Sequence, residues 1–124
     1  MKRIKSFLSL LFAGYIIKKN ESWKKNPLFY QKKIMLELLS KAENTSFGRE
    51  HSFHNIKTYD DFKKNIPIRD YEGFSDYIKL IKSGEENVLW PGIPKYLCKT
   101  SGTTSGSKYI PLTKESIINS RADF

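Results

Sequence analysis

Between Ser101 and Ser107 the chain reads Ser-Gly-Thr-Thr-Ser-Gly-Ser, and Lys108 follows directly. Five of those seven residues carry hydroxyls. Hydroxyl and backbone N–H donors beside an ammonium are what a polyphosphate needs to replace its water and offset its charge. Gly102 and Gly106 would let backbone N–H groups approach such a ligand closely. The surroundings agree in sign: from Asn87 to Lys114 there is no Asp or Glu, while Lys95, Lys99, Lys108 and Lys114 contribute four positive charges. The run is not a Walker loop, which needs four residues between its first glycine and a Gly-Lys-Ser/Thr end. Here three residues separate Gly102 from Gly106, and Ser107 intervenes before Lys108. A flexible Ser/Thr/Gly turn that binds nothing is the competing reading of this composition.

A loop that grips phosphates needs a rigid mount. Alternation over Lys95–Thr100 predicts a strand with Tyr96, Cys98 and Thr100 on one face, and Tyr109–Leu112 predicts a second short strand. Residues 95–113 therefore read as a strand-loop-strand unit. Its seven-residue loop exceeds the ~2–5 residues usual for a hairpin, and long small-residue loops on such scaffolds often carry function. Thr113 is placed to cap a helix from Lys114 onward, which reaches Phe124 without a stop signal.

Upstream the period is helical. Asn26-Pro27 is a helix start, and Leu28, Gln31, Ile34, Met35, Leu38, Leu39 and Ala42 form one stripe ending near Asn44. Phe47-Gly48 reads as a turn. Thr58 predicts a short helix from Tyr59 to about Asn65, stopped by Pro67. Asp70 predicts another from Tyr71 to Ser83, with Phe74, Tyr77, Ile78 and Ile81 on one face and Gly84 as terminator. Trp90-Pro91-Gly92-Ile93-Pro94 is a turn-rich connector. Helices followed by a strand pair place the chain in the α/β class.

The 124 residues are 39% hydrophobic, 14% aromatic and 28% charged, a composition that reads as globular and disfavours disorder. A single cysteine, Cys98, excludes an internal disulfide and a cysteine-cluster zinc site, and a cytoplasmic location is expected. The net charge of +9 is concentrated: residues 1–33 hold nine Lys or Arg against one acid, Glu21, while the rest of the chain carries a net of only +1. That is not the uniformly basic profile of a nucleic-acid binder, and nucleic acid is not expected as a partner. Within residues 1–25, Ile4, Phe7, Leu8, Leu11, Phe12, Tyr15 and Ile16 recur at helical spacing between basic ends. The apolar run from Phe7 to Ile17 would cover only ~17 Å as helix, short of the ~30 Å hydrocarbon layer. A basic amphipathic helix is expected, docked on the protein's own core; the alternative is a non-enzymatic module whose first helix rests on an anionic membrane surface or a partner.

The segment Thr100–Lys108 resembles the phosphate-binding loop of adenylate-forming enzymes, and more narrowly that of the auxin-responsive promoter (Gretchen Hagen) family of acyl acid amido synthetases, in its bacterial branch. The segments Ala42–His51 (Ala-Glu-Asn-Thr-Ser-Phe-Gly-Arg-Glu-His), Ile66–Glu72 (Ile-Pro-Ile-Arg-Asp-Tyr-Glu) and Gly84–Gly92 (Gly-Glu-Glu-Asn-Val-Leu-Trp-Pro-Gly) also resemble that family, in order and at similar spacing. The wider adenylate-forming pattern places Gly directly after Thr-Thr and a Pro before the Lys; here Ser105 precedes Gly106 and only Ser107 separates Gly106 from Lys108.

The resemblance implies a two-step ligase that joins a carboxylic acid to an amino acid or other amine by way of ATP and Mg²⁺. It implies that Ser101, Thr103, Thr104 and Ser105 contact phosphates, that Gly102 and Gly106 permit close approach, and that Lys108 supplies charge. It also implies that residues 1–124 are the N-terminal part of a larger adenylating domain, inactive by themselves and exposing the apolar faces of the hairpin and last helix. The residues that do the catalytic chemistry are not identified. His51 and His54, with only Glu50 beside them, are not expected to hold a metal. Cys98 is expected to be a small buried residue, Trp23 and Trp90 to pack, and Asp60-Asp61 to be first-turn helix charge.

Overall fold

The computed structural model describes the backbone of residues 2–101 and 106–122, with side chains described outside residues 2–8, 19, 20, 22, 121 and 122. The chain divides into two compact units, residues 1–36 and 37–124.

In the first unit, α1 (Lys2–Lys25) is one long helix that stops at Asn26, because Pro27 has no N–H to continue its ladder. Pro27 instead opens α2 (Pro27–Ala42), the position where a missing N–H costs nothing. The expected stripe on α1 is not covered within this unit: among its described residues Leu11, Phe12 and Tyr15 are exposed and only Ile16 is half-buried. No helix among the described residues is long and apolar enough to cross a membrane.

The second unit begins in the last turns of α2, where Leu39 and Ala42 are buried. The turn expected at Phe47-Gly48 is instead a short helix, α3 (Ser46–Glu50), and the reason is non-local. A helix start leaves N–H groups without partners. Here Thr45 Oγ1 accepts from Gly48 N–H at 3.0 Å, while Ser46 and Phe47 N–H donate to the carbonyls of Asn87 and Val88 at 2.8 and 3.0 Å. A far segment of chain finishes the cap.

The next helix, α4 (Tyr59–Asn65), starts and ends where expected. Thr58 and Asp61 form a reciprocal capping box: Asp61 N–H donates to Thr58 Oγ1 at 3.1 Å, and Asp61 Oδ2 accepts from Thr58 N–H at 2.9 Å and Lys57 N–H at 3.1 Å. The hydrogen bond with the Thr58 side chain, then those from the Lys57 and Thr58 backbone, hold the Asp61 carboxyl below the usual carboxylate range. A carboxyl lowered by folding contributes stability that is present above its unfolded value, near 3.8, and is lost as pH falls through the folded one. Acid unfolding followed below pH 4 should therefore be shallower in Asp61→Asn than in the unmodified chain. Identical acid limbs would remove this role.

The expected single helix from Tyr71 is split into a 3₁₀ turn at Glu72–Phe74, which Asp70 Oδ1 caps through Gly73 N–H at 3.0 Å, and α5 (Ser75–Lys82). Gly84 terminates it at φ 90°, a left-handed conformation that glycine adopts without strain. Ile78 and Ile81 on α5 and Val88 beyond it form the core. Against them packs the antiparallel hairpin of β1 (Tyr96–Lys99) and β2 (Tyr109–Leu112), after which Thr113 caps α6 (Lys114–Ala122) through Ser116 N–H at 3.0 Å. The class is α/β, as expected.

Register decides which hairpin face is inside. Leu97 pairs with Pro111 and Lys99 with Tyr109, and Leu97 and Tyr109 pack on the α5 core. The opposite face carries Tyr96, Cys98 and Ile110, all exposed. Tyr96, Cys98 and Thr100 do share an orientation, but it is the outer one, so the expectation of a buried Cys98 is corrected: its thiol is exposed.

Candidate functional site

The hairpin holds the two ends of the hydroxyl-rich loop together. Thr100 N–H donates to the Lys108 carbonyl at 2.9 Å, closing the ladder so that residues 101–107 form the loop. Ser101 and Gly106 stand at its two shoulders, both exposed. Gly106 has φ 80°, and among the described residues, its chain neighbours aside, no heavy atom lies within 4 Å of where a Cβ would be. Gly102, Thr103, Thr104 and Ser105 lie outside the described residues.

Lys108 is half-buried at the closing end of the loop, its Nζ 5.2 Å from the centre of the Tyr71 ring. Tyr71 also reaches the strand itself. Antiparallel ladders alternate bonded and unbonded pairs. Because Thr100 and Lys108 bond, the next pair, Lys99 and Tyr109, turns the Tyr109 backbone groups away from β1. Tyr109 N–H donates to Tyr71 Oη at 2.7 Å, and the Tyr71 hydroxyl donates to the Tyr109 carbonyl at 3.4 Å. One phenol thus does for Tyr109 what a third strand would do.

Tyr71 is itself firmly placed. Its carbonyl accepts from Phe74 N–H at 3.0 Å. Two residues back, Arg69 lies against the rings of Phe47, Phe74 and Tyr77, 5.5 to 6.0 Å from their centres, and donates to His51 Nε2 at 2.8 Å. That leaves His51 Nδ1 to donate to the Asn65 carbonyl at 3.0 Å. His51 is buried in this cluster and His54 is exposed. Glu50 completes it by accepting from the Tyr77 hydroxyl; burial pushes that phenol's pKa up, and the Glu50 hydrogen bond adds to the shift. These contacts brace the framework behind the hairpin. Among the described residues no group of His, Cys, Asp and Glu could hold a metal ion.

The four lysines of the acid-free stretch do not form one patch. Lys99 and Lys108 stand at the loop, but Lys95 N–H bonds the Leu112 carbonyl at the other end of the hairpin, with Lys114 just beyond. That end is about 13 Å away at the usual strand rise. Lys82 of α5 adds a cation to the loop's side instead, its Nζ 4.2 Å from the centre of the Tyr109 ring. Neither Lys82 nor Tyr71 stood out as a site residue in the sequence. Tyr71 does lie in a family-like segment, which was the available signal.

The family profile described as the GH3 family N-terminal domain matches residues 16–123, a span that includes the loop, Tyr71 and the braced framework. The chain belongs to the GH3 family. It is 28% identical over 98 residues to indole-3-acetic acid-amido synthetase GH3.4 of Arabidopsis thaliana, covering 78% of this chain and 16% of that protein. It is 34% identical over 89 residues to GH3.15 of the same plant, an indole-3-acetic acid-amido synthetase by name, covering 70% and 15%. This GH3 chain therefore spans about one sixth of the length of these curated relatives. No solved structure matches it.

Proposed function

We propose that this GH3 chain carries the phosphate-binding part of an ATP-dependent acyl acid amido synthetase, as the N-terminal portion of a large adenylating domain of the adenylate-forming kind and of the family's bacterial branch. The observation that carries this reading is a family match running across a hairpin whose long hydroxyl-rich loop closes on Lys108.

In the first step a carboxylate oxygen attacks the α-phosphorus of ATP. The bond from that phosphorus to the bridging oxygen breaks, and pyrophosphate leaves as the acyl-adenylate forms. In the second step an amine attacks the acyl carbon, AMP leaves, and the nitrogen loses a proton to give the amide. The loop's part is in the first step. Donors from Ser101, Thr103, Thr104 and Ser105, approached closely at Gly102 and Gly106, with charge from Lys108, would stabilise the negative charge gathering on the departing pyrophosphate. The donor set fits a triphosphate. It offers no carboxylate to Mg²⁺ among the described residues, so no step is assigned to that ion. The reaction belongs in the cytoplasm, with small molecules as partners: ATP, a carboxylic acid and an amine or amino acid. The plant relatives are indole-3-acetic acid-amido synthetases by name.

ATP-dependent pyrophosphate release, screened over carboxylic acids and amino acids with this chain and with a longer gene product containing it, tests the reading. Release that needs both ATP and an acid supports it. A longer product that releases none with any acid overturns it.

A second reading concerns the first unit alone. Leu10, Leu11, Phe12, Tyr15 and Ile17 of α1 are exposed, within residues 1–33, which hold +8 of the chain's net +9. Exposed apolar side chains among lysines suit an anionic lipid surface. The chain should sediment with phosphatidylserine-containing vesicles at low salt and be released as salt rises. Failure to sediment removes this reading and leaves the ligase untouched.

A further inference from the structure

Lys108 is the charged residue of the candidate loop, and the sequence from Asn87 to Lys114 contains no Asp or Glu to pair with it locally. A lysine side chain loses much rotamer freedom when it is fixed, so an unsupported one is a poor electrostatic donor. What the structure places around it is Tyr71. The ring lies 5.2 Å from the ammonium. The hydroxyl takes the N–H of the adjacent residue, Tyr109, at 2.7 Å and returns a longer bond to its carbonyl at 3.4 Å. The two residues before Tyr71 are tied down separately, Arg69 by His51 and Asp70 by Gly73 N–H. One side chain therefore contacts both the backbone next to Lys108 and its ammonium.

We propose that Tyr71 is a positioning residue that presents Lys108 to the phosphates, an inference resting on the phosphate-binding reading above. A ring can do this without competing for the site. It attracts the ammonium through its face but accepts none of the strong hydrogen bonds a carboxylate would, so the N–H donors stay available to the incoming oxygens. A carboxylate in its place would cancel the charge that Lys108 brings.

The probe is inorganic tripolyphosphate, titrated calorimetrically into the full chain and into Tyr71→Phe, Tyr71→Leu, Lys108→Ala and the double variant Tyr71→Leu/Lys108→Ala. Tyr71→Phe keeps the ring and loses only the hydroxyl; it should weaken binding about three- to tenfold, the range of one hydrogen bond. In the same variant, hydrogen exchange at the Tyr109 amide should quicken by a similar factor. Tyr71→Leu loses ring and hydroxyl and should weaken binding further.

A positioning role acts through Lys108, so Tyr71→Leu should cost little more once Lys108 is already alanine. Additive losses in the double variant, or unchanged binding by folded Tyr71→Phe, overturn the inference and leave the phosphate reading standing. If the unmodified chain binds no tripolyphosphate, the phosphate reading itself fails and takes this inference with it. Should Tyr71→Leu not fold, Tyr71→Phe and its combination with Lys108→Ala answer the same question.

Discussion

Gly48→Ala should destabilise this chain by about 3 kcal/mol, a value at the upper end of ordinary overpacking costs. The expectation opposes the usual one. In a helix interior, alanine is favoured over glycine by about 1 kcal/mol, so α3 judged alone would gain from the exchange. Packing reverses the sign. A Cβ on Gly48 would stand 2.0 Å from the Ala42 carbonyl oxygen and 2.9 Å from its carbon, both backbone atoms. That carbonyl cannot easily swing away, because it accepts from Thr45 N–H at 3.0 Å and from the Thr45 hydroxyl at 2.7 Å. Thr45 is fully buried, and its hydroxyl oxygen also caps α3 through Gly48 N–H. Relief of the clash must therefore break a buried cap or pull α3 from the carbonyls of Asn87 and Val88. Thermal unfolding should show a midpoint lowered by roughly 10–20 °C. A midpoint equal to or above that of the unmodified chain would mean that propensity wins and that α3 does not seat against α2 as described.

Gly48 also marks the boundary of what could be read from the sequence. The starts of α2, α4 and α6 were legible at Pro27, Thr58 and Thr113 because their signals are local. For α3 the capping residue, Thr45, is local too, but the remaining N–H groups are satisfied some forty residues away, and no window around Phe47 contains that information. Cys98 failed for a related reason. Strand alternation groups Tyr96 with Cys98 but does not say which face meets the core; Ile78 and Ile81 on α5 decide that, and they select Leu97.

The candidate site divides in the same way. Loop length, the closing position of Lys108 and the glycine at 106 follow from residues adjacent in the chain, and the hairpin ladder places them together. The lysine patch was a one-dimensional count, and folding broke it up: the hairpin sends Lys95 and Lys114 to the far end, while Lys82 arrives from α5. Tyr71, 38 residues before its backbone partner, is the kind of contact that only a folded chain displays.

Lys108→Ala should weaken the handling of ATP about ten- to a hundredfold, the loss of one charge-assisted hydrogen bond. In the chain this is a rise in the ATP dissociation constant; in a complete ligase it is a fall in ATP-dependent turnover of the same size. Stability should change little, because the contact Lys108 makes with Tyr71 is a cation–π pair at a half-exposed position, worth about 1 kcal/mol or less. Two further lysines separate a specific donor from diffuse charge. Lys99 stands at the loop but is exposed, and Lys95 lies at the opposite end of the hairpin. If charge alone attracts the triphosphate, all three alanine variants should lose affinity to similar degrees, and added salt should erase the differences. If Lys108 donates directly, Lys108→Ala should lose most, Lys99→Ala less and Lys95→Ala almost nothing, and the order should persist at 0.5 M salt because a hydrogen bond at contact distance is screened far less. Pyrophosphate release unchanged in Lys108→Ala would remove the residue from the reaction. A Lys95→Ala loss as large as that of Lys108→Ala would reduce the loop's contribution to nonspecific electrostatics.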